Sequence, residues 1–415
     1  MNSVSKRGDC RLCLSGKLDT AFELVSSPLA NEFLRSNQLD GSQEEFPLEM
    51  MSCRDCGHVQ LAHVVDPERL FRNYVYVSGT SPVFVEHFRK YAEDVLGTVK
   101  AKANSLVIDI GSNDGTLLTF YKDAGHRVLG IDPAKQISDN ATASGIPTNC
   151  AFFTSDYARE LLSEHGQPLI ITANNVFAHA DDLRDIVEGI SLLLDDNGVF
   201  VFEVSYLLDV LQQNLFDTIY HEHLSYHSTK PLVSLMDSMG MNLFKVSLVP
   251  SHGGSIRCYA QKSGGHYERD SGVEHLVGKE IQAGLYDITT YAGYIAKIRN
   301  MGSELRGFLE KLKSAGKKIA GFGAPAKATT LMYQFGIGSE HIDYIIDDSP
   351  LKQGLFSPGK KIPIVASDAL QDERTRPDYL LILAWNFAET IINKNESFSR
   401  SGGKFIVPIP ELKII

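Results

Sequence analysis

L-V-I-D-I-G-S-N-D-G-T-L-L, from Leu106 to Leu118, runs from an apolar stretch through a glycine-rich turn into a helical pattern. That is the opening of a β–α unit. Glycine at such a turn lets a ligand press against the backbone, and the following helix N-terminus favours an anionic group. The turn reads D-I-G-S-N-D-G at 109–115, not G-x-G-x-x-G, so a dinucleotide fits it poorly. Seventeen residues beyond Gly115, Asp132 closes the next strand in G-I-D-P-A. An acid at that place can accept hydrogen bonds from both hydroxyls of a ribose. Asp109, Gly111, Asn113, Gly115 and Asp132 are therefore candidate contacts for a nucleoside-containing cofactor.

Working outward, H-R-V-L-G-I-D, P-L-I-I-T-A-N near 168–174 and G-V-F-V-F-E-V-S near 198–205 read as further strands separated by helical stretches. Such alternation implies a parallel sheet covered on both faces. Residues 74–102 are expected to be helical, with Val83, Val85, Phe88, Tyr91 and Val95 apolar. The segment 272–314 lacks proline and strand signals and predicts one or two bridging helices. After it, K-K-I-A-G-F-G-A-P-A-K-A-T-T-L-M-Y-Q again reads as strand, glycine turn and helix, and I-D-Y-I-I-D-D-S-P and D-Y-L-L-I-L-A-W-N supply later strands of a second α/β unit. The expected units are 1–73, 74–271 and 272–415, the first of them short-range and irregular.

A chain of 415 residues suits two or three domains. The net charge of −11 argues against broad binding to nucleic acid or to an anionic membrane. No run of about 18 apolar residues predicts a membrane span, and M-N-S-V-S-K-R-G-D-C lacks the apolar stretch of a signal peptide. A cytoplasmic protein is the expectation.

The cysteines carry more. Cys10 and Cys13 form one C-x-x-C and Cys53 and Cys56 another. Two such knuckles place four thiolates tetrahedrally around one Zn²⁺, and four protein ligands leave no open position, so this zinc would be structural. A redox dithiol is disfavoured because the second pair is not preceded by a strand leading into a helix. Cys150 and Cys258 stand alone and are expected to be small buried hydrophobes.

Tyr220-His221-Glu222-His223-Leu224-Ser225-Tyr226-His227 gathers three histidines beside a glutamate and two tyrosines. The cluster suits a metal site or an acid–base site. It follows F-E-V-S-Y-L-L-D, at the sheet edge where open α/β folds bind ligands. The second glycine turn, G-F-G-A-P-A at 321–326, fits a relaxed dinucleotide fingerprint with Asp347 downstream. Pro325, however, removes an amide from the phosphate-facing turn. A degenerate Rossmann-like domain that holds a diphosphate through turn amides and Lys327 is preferred to a purely structural turn or a true dinucleotide site.

The Gly-rich turn together with Asp132 resembles the cofactor site of class I S-adenosylmethionine-dependent methyltransferases. That resemblance implies that Phe153 and Asn174 flank the adenine and the methionine tail. More specifically, the cysteine knuckles, P-L-A-N at 28–31, N-N-V-F-A-H at 174–179, Y-H-E-H at 220–223, S-H-G-G-S-I-R at 251–257 and G-F-G-A-P-A-K, in that order, resemble the nucleotide-sugar C-methyltransferases over nearly the whole chain. The implied architecture is an α/β class I methyltransferase core with a small N-terminal four-cysteine zinc domain and a C-terminal Rossmann-like α/β domain. The implied reaction is methylation of a dTDP-linked 4-keto-deoxysugar, typically at C3, with S-adenosylmethionine. The resemblance places the base on His223, with Tyr220 and Glu222 flanking it and His179 and Tyr76 (or Tyr74) completing the pocket. Gly323, Lys327 and His252 are then the candidate substrate contacts. An O- or N-methyltransferase, or one acting on RNA, is the competing reading, though no basic–aromatic stretch favours RNA.

Overall fold

The computed structural model describes residues 4–71, 79, 82–372 and 374–415, the side chain of His252 excepted. The N-terminal part is more regular than its sequence suggests. β1 (Val4–Lys6) pairs with β5 (His63–Val65), while β2 (Leu18–Ser27), β3 (Phe46–Cys53) and β4 (Val59–Leu61) form an antiparallel sheet. β2 tilts its buried residues, Phe22 and Leu24 among them, toward one side. The sheet's fourth strand comes from far along the chain: β11 (Ser225–Tyr226) pairs antiparallel with β4, Ser225 opposite Gln60. The histidine-rich segment is thereby built into the sheet of the cysteine domain.

After α1 (Pro67–Phe71), α2 (Pro82–Val99) leads into the central unit. Its strands are β6 (Leu106–Ile110), β7 (Arg127–Ile131), β8 (Thr148–Asn149), β9 (Ile170–Asn174) and β10 (Val199–Ser205). α3 (Thr116–Asp123), α4 (Lys135–Ala143), α5 (Ser155–His165) and α6 (Leu183–Leu193) alternate with them. Beyond β10 come α7 (Leu207–Gln212), α8 (Thr229–Ser238), β12 (Met241–Val249) and β13 (Ser255–Lys262). The strand order is β12-β13-β10-β9-β6-β7-β8, with β6 to β10 parallel and β13 antiparallel to both neighbours. This matches the expected class I core, closed by a hairpin that the alternating pattern does not reveal.

The core strands are apolar on both faces because helices cover both. Val107, with Tyr91 and Val95 of α2 and Leu117, Leu118 and Tyr121 of α3, belongs to one cluster. Leu106, Ile108 and Ile110 point the other way, toward Leu161 of α5 and Ile186 and Ile190 of α6. The order reverses between β6 and β9, which opens a crevice at their carboxyl ends where such sheets bind ligands.

α9 (Ser271–Gln282) and α10 (Ile288–Ser314) supply the expected bridging helices. The last unit has β14 (Ile319–Phe322), α11 (Ala326–Phe335), β15 (Ile345–Ile346), β16 (Ile364–Val365), β17 (Tyr379–Ile382), β18 (Lys404–Val407) and β19 (Lys413–Ile414). Its order is β16-β15-β14-β17-β18-β19, parallel except for the last pair, a second doubly wound sheet. Of the two lone cysteines, Cys258 is buried on β13, but Cys150 is exposed after the very short β8 and does not pack as a hydrophobe.

Candidate active site

The crevice is shaped by glycines that no other residue could replace without rearrangement. Gly111 has φ 69°, and a Cβ there would lie 2.2 Å from Val176 Cγ2. Gly115, at φ 78°, starts α3, and its Cβ would lie 2.8 Å from Ile146. The turn after β6 thus closes directly onto the loop after β9. Asp132 is almost buried: one carboxylate oxygen accepts from the amide of Asn113 at 3.0 Å and the other from that of Ala134 at 2.9 Å. Burial raises its pKa above the ordinary value. Asp109 lies deeper, accepts from the Thr172 hydroxyl at 2.6 Å and is pushed up to about 7 by burial. Phe153 is buried, with its ring against Gly189 of α6. Both polar atoms of the Asn174 side chain are buried without a partner among the described residues, as is Ser112 Oγ. Buried polar atoms are ordinarily satisfied, so an orphaned amide at the end of β9 and an orphaned hydroxyl in the turn after β6 fit a polar ligand such as S-adenosylmethionine.

The four cysteine sulfurs lie within 4.8 Å of one another. Cys10 and Cys13 occupy a turn closed by Leu14 N donating to Cys10 O, and Cys53 ends β3 with Gly57 N donating to its carbonyl. Among the described residues this is the only gathering of three or more Cys, His, Asp or Glu able to share a metal ion. Four thiolates in such a cage suit tetrahedral Zn²⁺ and leave no position for substrate.

The metal reading of the histidine-rich segment fails, because its three imidazoles point to three places. His221 sits beneath the cysteine-domain sheet, its Nε2 3.2 Å from Phe46 O and its ring edge-on to Phe46. His227 stacks on Phe177, with Nε2 3.3 Å from Phe177 O. His227 also faces His58, at 5.5 Å between ring centroids, whereas His223 turns toward Tyr220 and His179. The His223 ring centroid is 4.1 Å from that of Tyr220 and 4.9 Å from that of His179, and Phe71 stacks on His179 beyond. The His223 Nδ1 is 2.7 Å from Thr218 O. A carbonyl can only accept, so Nδ1 carries the proton and Nε2 keeps a lone pair in the neutral ring. Burial lowers the His223 pKa to about 4, which keeps it unprotonated at neutral pH. His179, also buried, is held well below its ordinary value.

Glu222 is 3% exposed and accepts from Asn31 Nδ2 at 2.7 Å. Among the described residues no imidazole hydrogen-bonds to it. Burial pushes it up to about 7, so at neutral pH its carboxyl can also donate. Asn31, from P-L-A-N, was a motif without a role in the sequence. Arg11 gave no signal at all, being only the residue after Cys10. Yet it is fully buried and donates to Leu61 O at 2.6 Å and Leu224 O at 3.3 Å, and it pairs with Asp181 at 3.0 Å. It pins the first knuckle to the residue beside His223.

The second glycine turn spends its amides inside the protein. Gly323 N donates to Ile346 O at 2.7 Å, and Ala324 N to Asp347 at 2.7 Å. Phosphate capture by these two amides, one of the sequence-based expectations, is therefore closed off. Lys327 differs: its ammonium lies 3.9 Å from the centroid of the Trp385 ring, and Asp217 is its nearby charge. Tyr76, with its alternative Tyr74, and the side chain of His252 lie outside the described residues.

The buried imidazoles carry a stability prediction. His221 and His227 are both lowered to about 4 by burial, against an ordinary 6.5. The unfolded chain therefore takes up these protons first, and the contribution present above pH 6.5 drains away as pH falls from 6.5 through about 4. Melting curves between pH 7.5 and 5 are expected to show a falling Tm. The steepest slope is about 1.4 kcal/mol per pH unit for each histidine, and it becomes shallower in His227→Phe, which keeps the stack on Phe177. An unchanged slope in that variant would place the acid sensitivity elsewhere.

Comparison with known proteins gives matches along nearly the whole chain. Three family models match in succession: a zinc binding domain over residues 10–71, a methyltransferase domain over 84–246 and a C-methyltransferase C-terminal domain over 250–410. C-methyltransferase NovU of Streptomyces niveus is 34% identical over 407 residues, covering 98% of this chain and 96% of that protein. An uncharacterized methyltransferase of Exiguobacterium sibiricum is 32% identical over 95 residues, 21% of this chain and 44% of that one. Among solved structures, magnesium protoporphyrin IX methyltransferase of Synechocystis PCC 6803 with bound SAH aligns at 14% identity and a TM-score of 0.35. It covers 47% of this chain and 92% of that one.

Proposed function

This chain belongs to the family of S-adenosylmethionine-dependent C-methyltransferases, and from that membership we propose that it methylates C3 of a nucleotide-linked 4-keto-deoxysugar, dTDP-linked in the first instance. The observation that carries the reading is the state of His223: a neutral, buried imidazole whose Nδ1–H is fixed on Thr218 O and whose Nε2 is left as a base. Carbon becomes nucleophilic only when a proton α to a carbonyl is removed, and a neutral imidazole with its Nε2 lone pair free is a group that can take that proton.

In the proposed reaction His223 Nε2 takes the proton from C3, and the C–H electron pair becomes the C3–C4 double bond of an enolate with its charge on the C4 oxygen. Tyr220 and His179, whose rings pack on His223, are the proposed donors to that oxygen, with Tyr76. Donors aimed at a developing oxyanion are typically worth on the order of 10²–10³ in rate. Bound S-adenosylmethionine supplies an electrophilic methyl group on sulfur. C3 forms the new bond to that methyl carbon, the C–S pair stays on sulfur, the C4 carbonyl is restored, and His223 returns its proton to solvent. Glu222, anchored by Asn31, binds a hydroxyl or amine of the sugar. Lys327 holds the diphosphate, a role that suits an ammonium with no hydrogen-bond acceptor among the described residues.

Proton removal can be tested apart from methyl transfer. With S-adenosylhomocysteine in place of the donor, incubation of dTDP-4-keto-6-deoxysugars in D2O is expected to wash deuterium into C3. Wild-type protein that methylates one of these sugars without catalysing exchange would remove the enolate from the account. The cofactor side has its own test. Among the described residues Asn174 makes no side-chain hydrogen bond that the protein would miss, so Asn174→Ala is expected to weaken S-adenosylhomocysteine binding by roughly 10- to 100-fold, the scale of one or two lost hydrogen bonds, with Tm unchanged. Calorimetric titration reads both. Unaltered affinity would take Asn174 out of the cofactor site.

A further inference from the structure

Thr218, whose carbonyl sets the tautomer of His223, ends a single helical turn, Phe216–Thr218, gripped from the C-terminal domain. The grip has three parts. The Phe216 ring packs on Phe335 of α11 at 4.8 Å. The Thr330 hydroxyl of α11 donates to Ile219 O at 3.0 Å. In the middle, Asp217 is fully buried and accepts the indole N–H of Trp385 at 2.5 Å, while its other oxygen has no partner among the described residues. The ammonium of Lys327 lies over the same indole.

We propose that Trp385 and Asp217 are positioning residues for the base, the indole N–H of the C-terminal domain fixing the turn whose last carbonyl holds His223 with Nε2 free. The inference rests on His223 being the base. Its physical core is the cost of a buried carboxyl without a donor. With the indole N–H gone, Asp217 turns toward Lys327 or toward water, the 216–218 turn moves with it, and Thr218 O leaves its place 2.7 Å from Nδ1. Nε2 can then carry the proton instead, and a ring protonated there cannot accept one from substrate. Because Lys327 shares the indole, occupation of the proposed diphosphate site and readiness of the base are read by the same side chain.

The test uses the full chain with zinc bound. Trp385→Phe keeps the ring under Lys327 and loses only the donor; Asp217→Asn keeps an oxygen for the indole. Trp385→Phe is expected to lower kcat on the best-accepted dTDP-4-keto-6-deoxysugar by about tenfold, the scale of a small misplacement of a reacting group, with KM for both substrates within twofold. Asp217→Asn should stay within a few-fold of wild type. ¹⁵N-histidine NMR should show the His223 ring as the single Nδ1–H tautomer in wild type and Asp217→Asn, and as a mixture in Trp385→Phe. Wild-type kcat and a single tautomer in Trp385→Phe would overturn the proposal, as would an equal loss in Asp217→Asn. If wild-type protein methylates no sugar nucleotide, the proposed reaction fails, and the tautomer measurement still decides what Trp385 does. The protein has one tryptophan, so titration with dTDP adds a direct readout: quenching is expected in wild type and much less in Lys327→Met.

Discussion

Replacing His223 with alanine is expected to reduce methyl transfer by about 10²- to 10⁴-fold, the usual contribution of a general base, while the protein still folds and binds S-adenosylhomocysteine. Fold survives because the neighbouring contacts do not pass through this ring. Leu224 N still donates to Ala178 O, Leu61 N to Leu224 O, and the Tyr226 hydroxyl still reaches Thr218 O. The informative control is His221→Gln, two residues away. That imidazole is bound to Phe46 O, outside the pocket, so its loss should lower Tm and leave kcat within a few-fold. Activity of His223→Ala close to wild type would remove it from the mechanism. Equal losses in both variants would show that the segment is merely fragile.

Stripping the zinc is expected to abolish activity as fully as replacing His223, although the four thiolates are gathered on one another. Structural zinc sites bind with roughly 10–16 kcal/mol, comparable to the entire stability of a domain, about 5–15 kcal/mol, so the metal-free N-terminal domain cannot be expected to hold its fold. Three connections then carry the damage into the pocket. β11, directly after Leu224, is a strand of the cysteine-domain sheet. Glu222 is held by Asn31. Arg11, inside the first knuckle, is bonded to Leu224 O. Cys53→Ser should therefore lose its bound zinc, measured as metal per chain, together with at least roughly a hundredfold in turnover, the scale of a lost general base. S-adenosylhomocysteine affinity, which belongs to the central sheet, should fall much less. A zinc-free variant with wild-type turnover would show that the cysteine domain is an appendage.

How much of this was readable in the sequence follows the range of the interactions. The turn after β6, the acid at Asp132 and the two C-x-x-C pairs are each set by a few neighbouring residues, and each is legible as a motif. The two doubly wound sheets are legible as alternating strands and helices. What distinguishes His223 from His221 and His227 is not local: it is decided by Phe46 O and Phe177 O, which claim the other two imidazoles from distant parts of the chain. The regular sheet of the cysteine domain is hidden for the same reason, since its fourth strand, Ser225–Tyr226, comes from far beyond the Val59–Leu61 strand that it pairs with. Gly323 shows the opposite failure. Its turn has the spelling of a phosphate site, but its amide closes on Ile346 O, a pairing that spelling does not record. Trp385 and Asp217 belong to no motif; only their juxtaposition across the domains gives them a role.

The central claim is that methyl goes to sugar carbon, and mass spectrometry tests it most directly. Wild-type protein is incubated with methyl-labelled S-adenosylmethionine and a panel of 4-keto-6-deoxysugar nucleotides, and the products are fragmented. The account predicts one labelled methyl retained on a ring-carbon fragment, at C3, from at least one panel member. A label on oxygen or nitrogen, or no transfer to any sugar while the methyl donor binds normally, would contradict it.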